Sequence, residues 1–277
     1  MKLMDMKAKV ILSLFIVLFL TSQAFAGWMV ESVNRDTNGE ETTEILYVQK
    51  NKMKSVGPEM IMITDLDKNL LYIVNPKPEF KIYWSGTPEE MRKGIEEMTK
   101  QMEEAYLKNM SPEQREQYKQ YKESMKEKPK EPATKKKFEV KKTSEKAIVA
   151  GYPTRKYQVW VNGELKEELW ISSKIKIKDE IDLNKLEKFK EAMSGPEEEE
   201  SYESSPEYMA LMEQGIPLKS INYSNQGNSV NEVKKVEKRK IPDSEFKVPK
   251  GYKKISLLEL HQLQEMMEQK EEEEEEE

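Results

Sequence analysis

The chain has 277 residues, 46 Lys+Arg against 52 Asp+Glu, one His and no Cys. Without cysteine there are no disulfides, thiolate metal sites or cysteine nucleophile, and no N-terminal Cys to carry a lipid. The slight acidity supplies neither the basic field that nucleic acid requires nor a broad surface for anionic lipid.

Lys2, Lys7 and Lys9 precede an apolar run from Val10 to Leu20, followed by Thr21, Ser22, Gln23 and the triplet Ala24-Phe25-Ala26. Basic segment, apolar segment and small-residue site, in that order, read as a secretory signal peptide over residues 1–26, cleaved after Ala26. The run is shorter than the roughly 20 apolar residues that span hydrocarbon. No membrane span is expected after cleavage, and the protein is expected in the periplasm or secreted. Cleavage takes three Lys and one Asp from totals of 46 and 52, leaving 43 against 51 and a formal charge of −8. Seven of the acids form the terminal run Glu271 to Glu277, which reads as a solvated, self-repelling tail, with weak calcium capture as the sharper alternative.

From Gly27 to Gly86 short apolar runs alternate with turn residues. Trp28 to Val33, Glu44 to Gln49, Met53 to Val56, Met60 to Leu66, Leu70 to Val74 and Phe80 to Trp84 have strand lengths. Asn38-Gly39, Asn51, Gly57-Pro58, Asp67-Lys68-Asn69 and Pro76-Lys77-Pro78 break them, all turn chemistry. Connections this short predict an antiparallel meander. The runs Met60 to Ile63 and Leu70 to Val74 are apolar on both faces, so these strands need cover on two sides.

Thr87-Pro88-Glu89-Glu90 supplies an N-cap, a Pro in the first turn and acids beside it. Met91, Ile95, Met98, Met102 and Ala105 then recur at helical spacing and predict an amphipathic cover for the sheet. Ser111-Pro112-Glu113-Gln114 starts a second helix bearing Tyr118, Tyr121 and Met125, which makes residues 87–134 a helical insertion.

Strands resume at Lys137 to Lys141, Lys146 to Ala150 and Arg155 to Ile171. In the last, Asn162-Gly163 between alternating runs predicts a two-residue hairpin. An unbroken register from that turn sets Trp160 opposite Leu165, Val159 opposite Lys166 and Arg155 opposite Trp170, and puts Trp160 and Trp170 on opposite faces. Residues 182–215 read as helices with Leu183, Leu186, Phe189 and Met193 on one face and a second piece around Tyr208, Leu211 and Met212. Ile216 to Tyr223 and Val230 to Arg239 form a final hairpin, Ile241 to Tyr252 crosses in extended form, and Leu257 to Met267 make the last helix. The predicted fold is α+β: a curved antiparallel sheet, an incomplete barrel, with helices on its concave face and a helical insertion. It forms a single domain over 27–255, followed by the helix and acidic tail of 256–277.

Ile45 to Lys54, Ile63 to Tyr72, Gly151 to Tyr157 and Trp170-Ile171-Ser172 resemble the periplasmic lipoprotein-carrier superfamily of LolA, LolB and RseB. They are more similar still to an uncharacterised family of exported bacterial proteins placed near it, whose usual ending Phe246 to Tyr252 resembles. The resemblance implies a half-barrel closed by helices around an apolar cavity, which in the carriers holds acyl chains. The charged insertion and polyglutamate tail depart from the carriers.

Catalytic candidates are few. His261 lies beside Leu260 and Leu263 on the last helix, and one imidazole without Cys makes no ordinary zinc site. Asp65 and Asp67 occupy a tight turn, where Asp serves the backbone. Seventeen methionines, among them Met60/Met62, Met98/Met102, Met209/Met212 and Met266/Met267, invite a Cu(I) reading but sit where apolar residues are needed, as core filler or a pliable binding surface. No phosphate loop, nucleophile elbow or zinc motif is present. The expectation is an exported, non-catalytic binding or carrier protein of the bacterial envelope, without cofactor or metal, taking a lipid or lipoprotein acyl chain. Its lining is expected from Met62, Tyr72, Ile82, Trp84, Met98, Met102 and one of Trp160 or Trp170. The alternative is an envelope interaction or sensor protein that binds a protein partner through its insert and tail and has no ligand.

Overall fold

The computed structural model describes residues 27–127, 136–175, 179–194 and 202–275. The signal-peptide reading of residues 1–26 falls outside them. Among the described residues, alternating runs and tight turns build twelve strands into one sheet. They are β1 Gly27–Arg35, β2 Glu41–Gln49, β3 Lys52–Val56, β4 Ile61–Asp65, β5 Leu70–Val74, β6 Ile82–Gly86, β7 Phe138–Val149, β8 Tyr152–Val161, β9 Glu164–Ser172, β10 Ile216–Ser224, β11 Gly227–Arg239 and β12 Lys253–Lys254. The helices are α1 Pro88–Asn109, α2 Pro112–Glu127, α3 Leu183–Ser194, α4 Pro206–Met212 and α5 Leu257–Glu275, with short 3-10 turns at Tyr202–Ser204 and Asp243–Phe246.

The strand order is β12-β6-β5-β4-β3-β2-β1-β11-β10-β9-β8-β7. The predicted meander thus runs from β6 to β1, and the join to the C-terminal strands is made where β1 pairs antiparallel with β11. All pairs are antiparallel except β12 with β6. The two ends of the sheet do not meet, so it is an open, curved sheet in an α+β fold.

One face of the meander carries Val48, Leu71, Ile73, Ile82 and Trp84, buried in the main core with Phe189 of α3 and Leu260 of α5. The other carries Ile63 and Val74, and its cover is the extended crossing Ile241–Tyr252 rather than the insertion: Ile241 and Phe246 are buried against it, with Val248 and Tyr252 beside them. Gln49 anchors that crossing, its Nε2 donating to the Ile241 carbonyl at 3.0 Å and its Oε1 accepting from the Ile241 N–H at 3.1 Å. A buried amide satisfied on both sides avoids the cost of an orphaned polar group.

The insertion begins as expected, with Thr87 and Glu90 forming a capping box. Its first turns dock, Pro88 being buried and Met91 packing on the core, while α1 lies against α3 and α5. Further along, Ile95, Met102 and Tyr106 are exposed, as is Tyr121 of α2. Most of the concave cover is supplied by α3, α4 and α5 instead. A stripe at helical spacing marks a face that seeks apolar contact without naming the contact.

The Asn162-Gly163 hairpin forms and Trp160 pairs with Leu165, but a bulge then sets Val159 opposite Glu167. The extra residue, Lys166, moves every later side chain of β9 one place. Trp170 therefore pairs with Lys156, Arg155 with Ile171, and Trp170 shares a face with Trp160 instead of opposing it. The expected Arg155 contact is replaced by the Lys156 ammonium 4.8 Å from the Trp170 ring centre. The same shift turns Glu167, Leu169 and Ile171 toward α4.

Candidate functional site

A cavity of about 710 Å³ lies between the concave sheet and the helices, within the size range of ligand sites. Its sheet wall comes from Trp28, Val30 and Ser32 of β1, Glu44, Leu46 and Val48 of β2, Ile216 of β10, and Asn231 and Val233 of β11. Its helical wall comes from Leu183, Leu186 and Met193 of α3 and Tyr208, Met209 and Met212 of α4. The apolar faces follow from local pattern: β1 and β2 alternate toward the concave side, and α3 buries Phe189 with Leu186 and Met193 beside it.

Two turns of the meander hold α3 in place. The Asn51 N–H donates to the Glu180 carbonyl at 2.7 Å, and the Asn51 Oδ1 accepts from the Asp182 N–H at 2.8 Å. Asp67 Oδ1 accepts from Asn51 Nδ2 at 2.9 Å and from Lys185 Nζ at 2.7 Å. The Lys185 hydrogen bond, then the Asn51 one, hold the Asp67 carboxyl below its ordinary pKa. Asp65 accepts from the Lys68 N–H at 3.1 Å within the same turn. These carboxylates work as turn and helix anchors.

At the second cover, Ser205 caps α4 and accepts from the Tyr208 N–H at 3.3 Å. Leu211 is buried against Tyr157, Val159, Leu169 and Ile171. Within that apolar contact lies Glu167, 6% exposed, with its Oε2 buried and without a hydrogen-bond partner among the described residues. Burial pushes the Glu167 carboxyl up to about 7, against the hydrogen bonds of Tyr208 and Tyr202. Burial and the nearby Glu167 push both tyrosine hydroxyls up as well, so they remain donors. The pattern Lys166-Glu167-Glu168 carries no sign of this in sequence, because only the bulge decides which of the three turns inward. Glu168 faces the other way: burial raises its pKa, but Lys156 at 2.8 Å, Gln158 and Tyr223 outweigh that and lower it.

None of the eight candidates named from sequence is among the residues that wall this cavity. Met62, Ile82, Trp84 and Trp170 pack in the main core. Tyr72 pairs with Ile63 on the opposite face of the meander, under the extended crossing. Met98 is half-buried and Met102 is 47% exposed, both on α1. Trp160 lies under the Lys141 ammonium, 4.3 Å from its ring centre. The residues missed were within reach: Met209 and Met212 formed one of the methionine pairs, and Trp28, Val30, Leu46 and Val48 follow the two-residue alternation. What sequence withheld was which helix covers them.

His261 Nε2 lies 3.2 Å from Glu265 Oε1 on its own helix. Among the described residues no group of three or more His, Asp or Glu side chains is arranged to hold a metal ion. No helix among them is long and apolar enough to cross a membrane.

No curated protein matches the chain. Among solved structures it is similar to PNGF-II, at 14% identity and a TM-score of 0.36, over 86% of this chain and 32% of that one. An uncharacterized conserved protein from Thermus thermophilus matches at 7% identity and a TM-score of 0.40, over 83% and 89% of the two chains. The MucB in the Pseudomonas aeruginosa MucA/MucB complex structure matches at 10% identity and a TM-score of 0.36, over 79% and 55%. The chain thus spans about a third of the first of these and about half of the last. Residues 71–252, from β5 to the end of the extended crossing, match the family described as Domain of unknown function (DUF4412), and the chain belongs to that family.

Proposed function

We propose that this is an exported, non-catalytic binding protein of the bacterial envelope whose cavity takes the apolar part of an amphiphile, a lipid or lipoprotein acyl chain. The mature protein starts at Gly27 after cleavage of residues 1–26, and 27–255 act as a single domain. The observation that carries this reading is the cavity of about 710 Å³ walled by aliphatic, methionine and aromatic side chains from four strands and two helices. Burial contributes about 25 cal/mol per Å² of apolar surface, so one acyl chain supplies several kcal/mol. Methionines on the helical wall adapt to chains of different shape. Met62, Ile82 and Trp84 serve as core behind the cavity.

Native mass spectrometry and solvent extraction of the purified mature protein are expected to recover bound lipid. Leu46→Trp places an indole in the cavity wall and is expected to cut the recovered lipid at least about tenfold, with the melting temperature retained. An empty wild-type protein, or a filled variant that retains as much lipid, overturns the reading.

One observation favours a second reading, an envelope interaction or sensor protein. Met102 and Tyr106 of α1 and Tyr121 of α2 are 47%, 59% and 59% exposed, an apolar surface of the kind that marks partner sites. Changing all three to lysine separates the two: loss of a captured envelope protein with lipid retention intact supports this second reading.

A further inference from the structure

The cavity is graded along its length. Across the β1–β2 pair Trp28 stands opposite Val48, Val30 opposite Leu46 and Ser32 opposite Glu44. From Trp28 to Ser32, four residue steps and about 13 Å at strand rise, the wall passes from aromatic and aliphatic to polar. Asn231 of β11 extends the polar end, since it pairs with Asn34 of β1.

At that end Glu44 is held by neutral donors. Asn34 Nδ2 donates to its Oε2 at 3.4 Å and Ser55 Oγ donates to its Oε1, while Asn231 Nδ2 donates to Asn34 Oδ1. A carboxylate offers about four lone-pair positions, and these two bonds leave acceptor capacity unused. No lysine or arginine among the described residues forms an ion pair with Glu44. The other charged side chains in the wall are Glu187, Glu203 and Lys190. A fixed, partly desolvated carboxylate attracts a cation and repels an anion.

We propose that the cavity selects single-chain amphiphiles ending in a protonated amine over those ending in carboxylate or phosphate, with Glu44 as the recognition carboxylate. This rests on the reading that the cavity takes an amphiphile at all. The geometry sorts the ligand end to end: the alkyl chain lies along Leu46, Val30 and Trp28, and the ammonium donates to Glu44.

The test titrates the mature protein below micelle formation with dodecylamine, dodecanoate and the non-ionic dodecyl maltoside, near pH 7, reading Trp fluorescence and calorimetry. Dodecylamine is expected to bind at least about tenfold tighter than dodecanoate, the scale of one hydrogen bond to a charged group. Glu44→Gln is expected to lose most of that preference, whereas Glu164→Gln, on the distant hairpin turn, keeps it. Should Glu44→Gln fail to fold, the wild-type protein still decides. Raising salt to about 0.15 M and beyond must weaken the amine more than the maltoside. Equal binding of amine and alkanoate, or a preference that survives Glu44→Gln, overturns the selectivity while leaving the cavity reading in place. Failure of all three amphiphiles to bind overturns the cavity reading and the selectivity with it.

Discussion

Gly215→Ala is expected to destabilise the protein by at least about 3 kcal/mol, a large fraction of the stability of a domain this size. Gly215 follows α4 and leads directly into β10. A Cβ there would lie 1.8 Å from the Ser172 carbonyl oxygen, 2.7 Å from its carbon and 3.1 Å from the Ile175 carbonyl oxygen. Neither neighbour can give way cheaply. Ser172 is fully buried and pairs with Ile216, and Ile175 is 1% exposed in the main core. Backbone must move against backbone, and the sheet register between β9 and β10 is lost with it. Urea denaturation measures the effect. Gly57→Ala is the control, because its Cβ would find only the Met60 oxygen at an ordinary 3.5 Å; it is expected to stay within about 0.5 kcal/mol of wild type. A Gly215→Ala protein as stable as the Gly57→Ala one sinks the account.

The second large effect is a pH dependence centred on Glu167. Its carboxyl titrates at about 7 in the folded protein against 4.5 for an ordinary glutamate, chiefly because burial disfavours the charged form. The folded state therefore holds a proton that the unfolded chain releases. Below about pH 4.5 both states are protonated and the site's stability is complete; it is lost as pH rises through 7, by about 3 kcal/mol in total. Glu203 pushes the same way, and the Tyr208 and Tyr202 hydroxyls oppose it. Glu167→Gln keeps the neutral shape and cannot ionise. It is expected to match wild type near pH 4 and to be about 3 kcal/mol more stable at pH 8. Chemical denaturation at the two pH values reads the difference. Parallel pH profiles for the two proteins would mean that Glu167 is not a buried, proton-holding acid.

These effects sit at contacts that differ in how far they could be read from the chain. The strands of the meander, the Asn162-Gly163 hairpin and the capped start of α1 are local: a two-residue period, turn chemistry and a capping box act over a few residues. The apolar face of Leu183, Leu186, Phe189 and Met193 was legible for the same reason, and it is the face that α3 turns to the core and cavity. The two-faced hydrophobicity of β4 and β5 also announced that both sides of the sheet need cover. It did not say by what.

Sequence alone determined, then, that this chain makes short antiparallel strands and amphipathic helices in an α+β arrangement, because hydrogen-bonded turns and side-chain periodicity are decided by neighbours. Tertiary structure decided the rest. It chose Ile241–Tyr252 over the insertion to cover the outer face, seated by a Gln49 amide 192 residues away in sequence. It placed α3 and α4 over Trp28 and Leu46, and through one bulged residue, Lys166, it turned Glu167 inward and Trp170 to the face of Trp160. An apolar stripe gains nearly the same free energy against any apolar surface, so its partner is selected only by the whole chain packing at once.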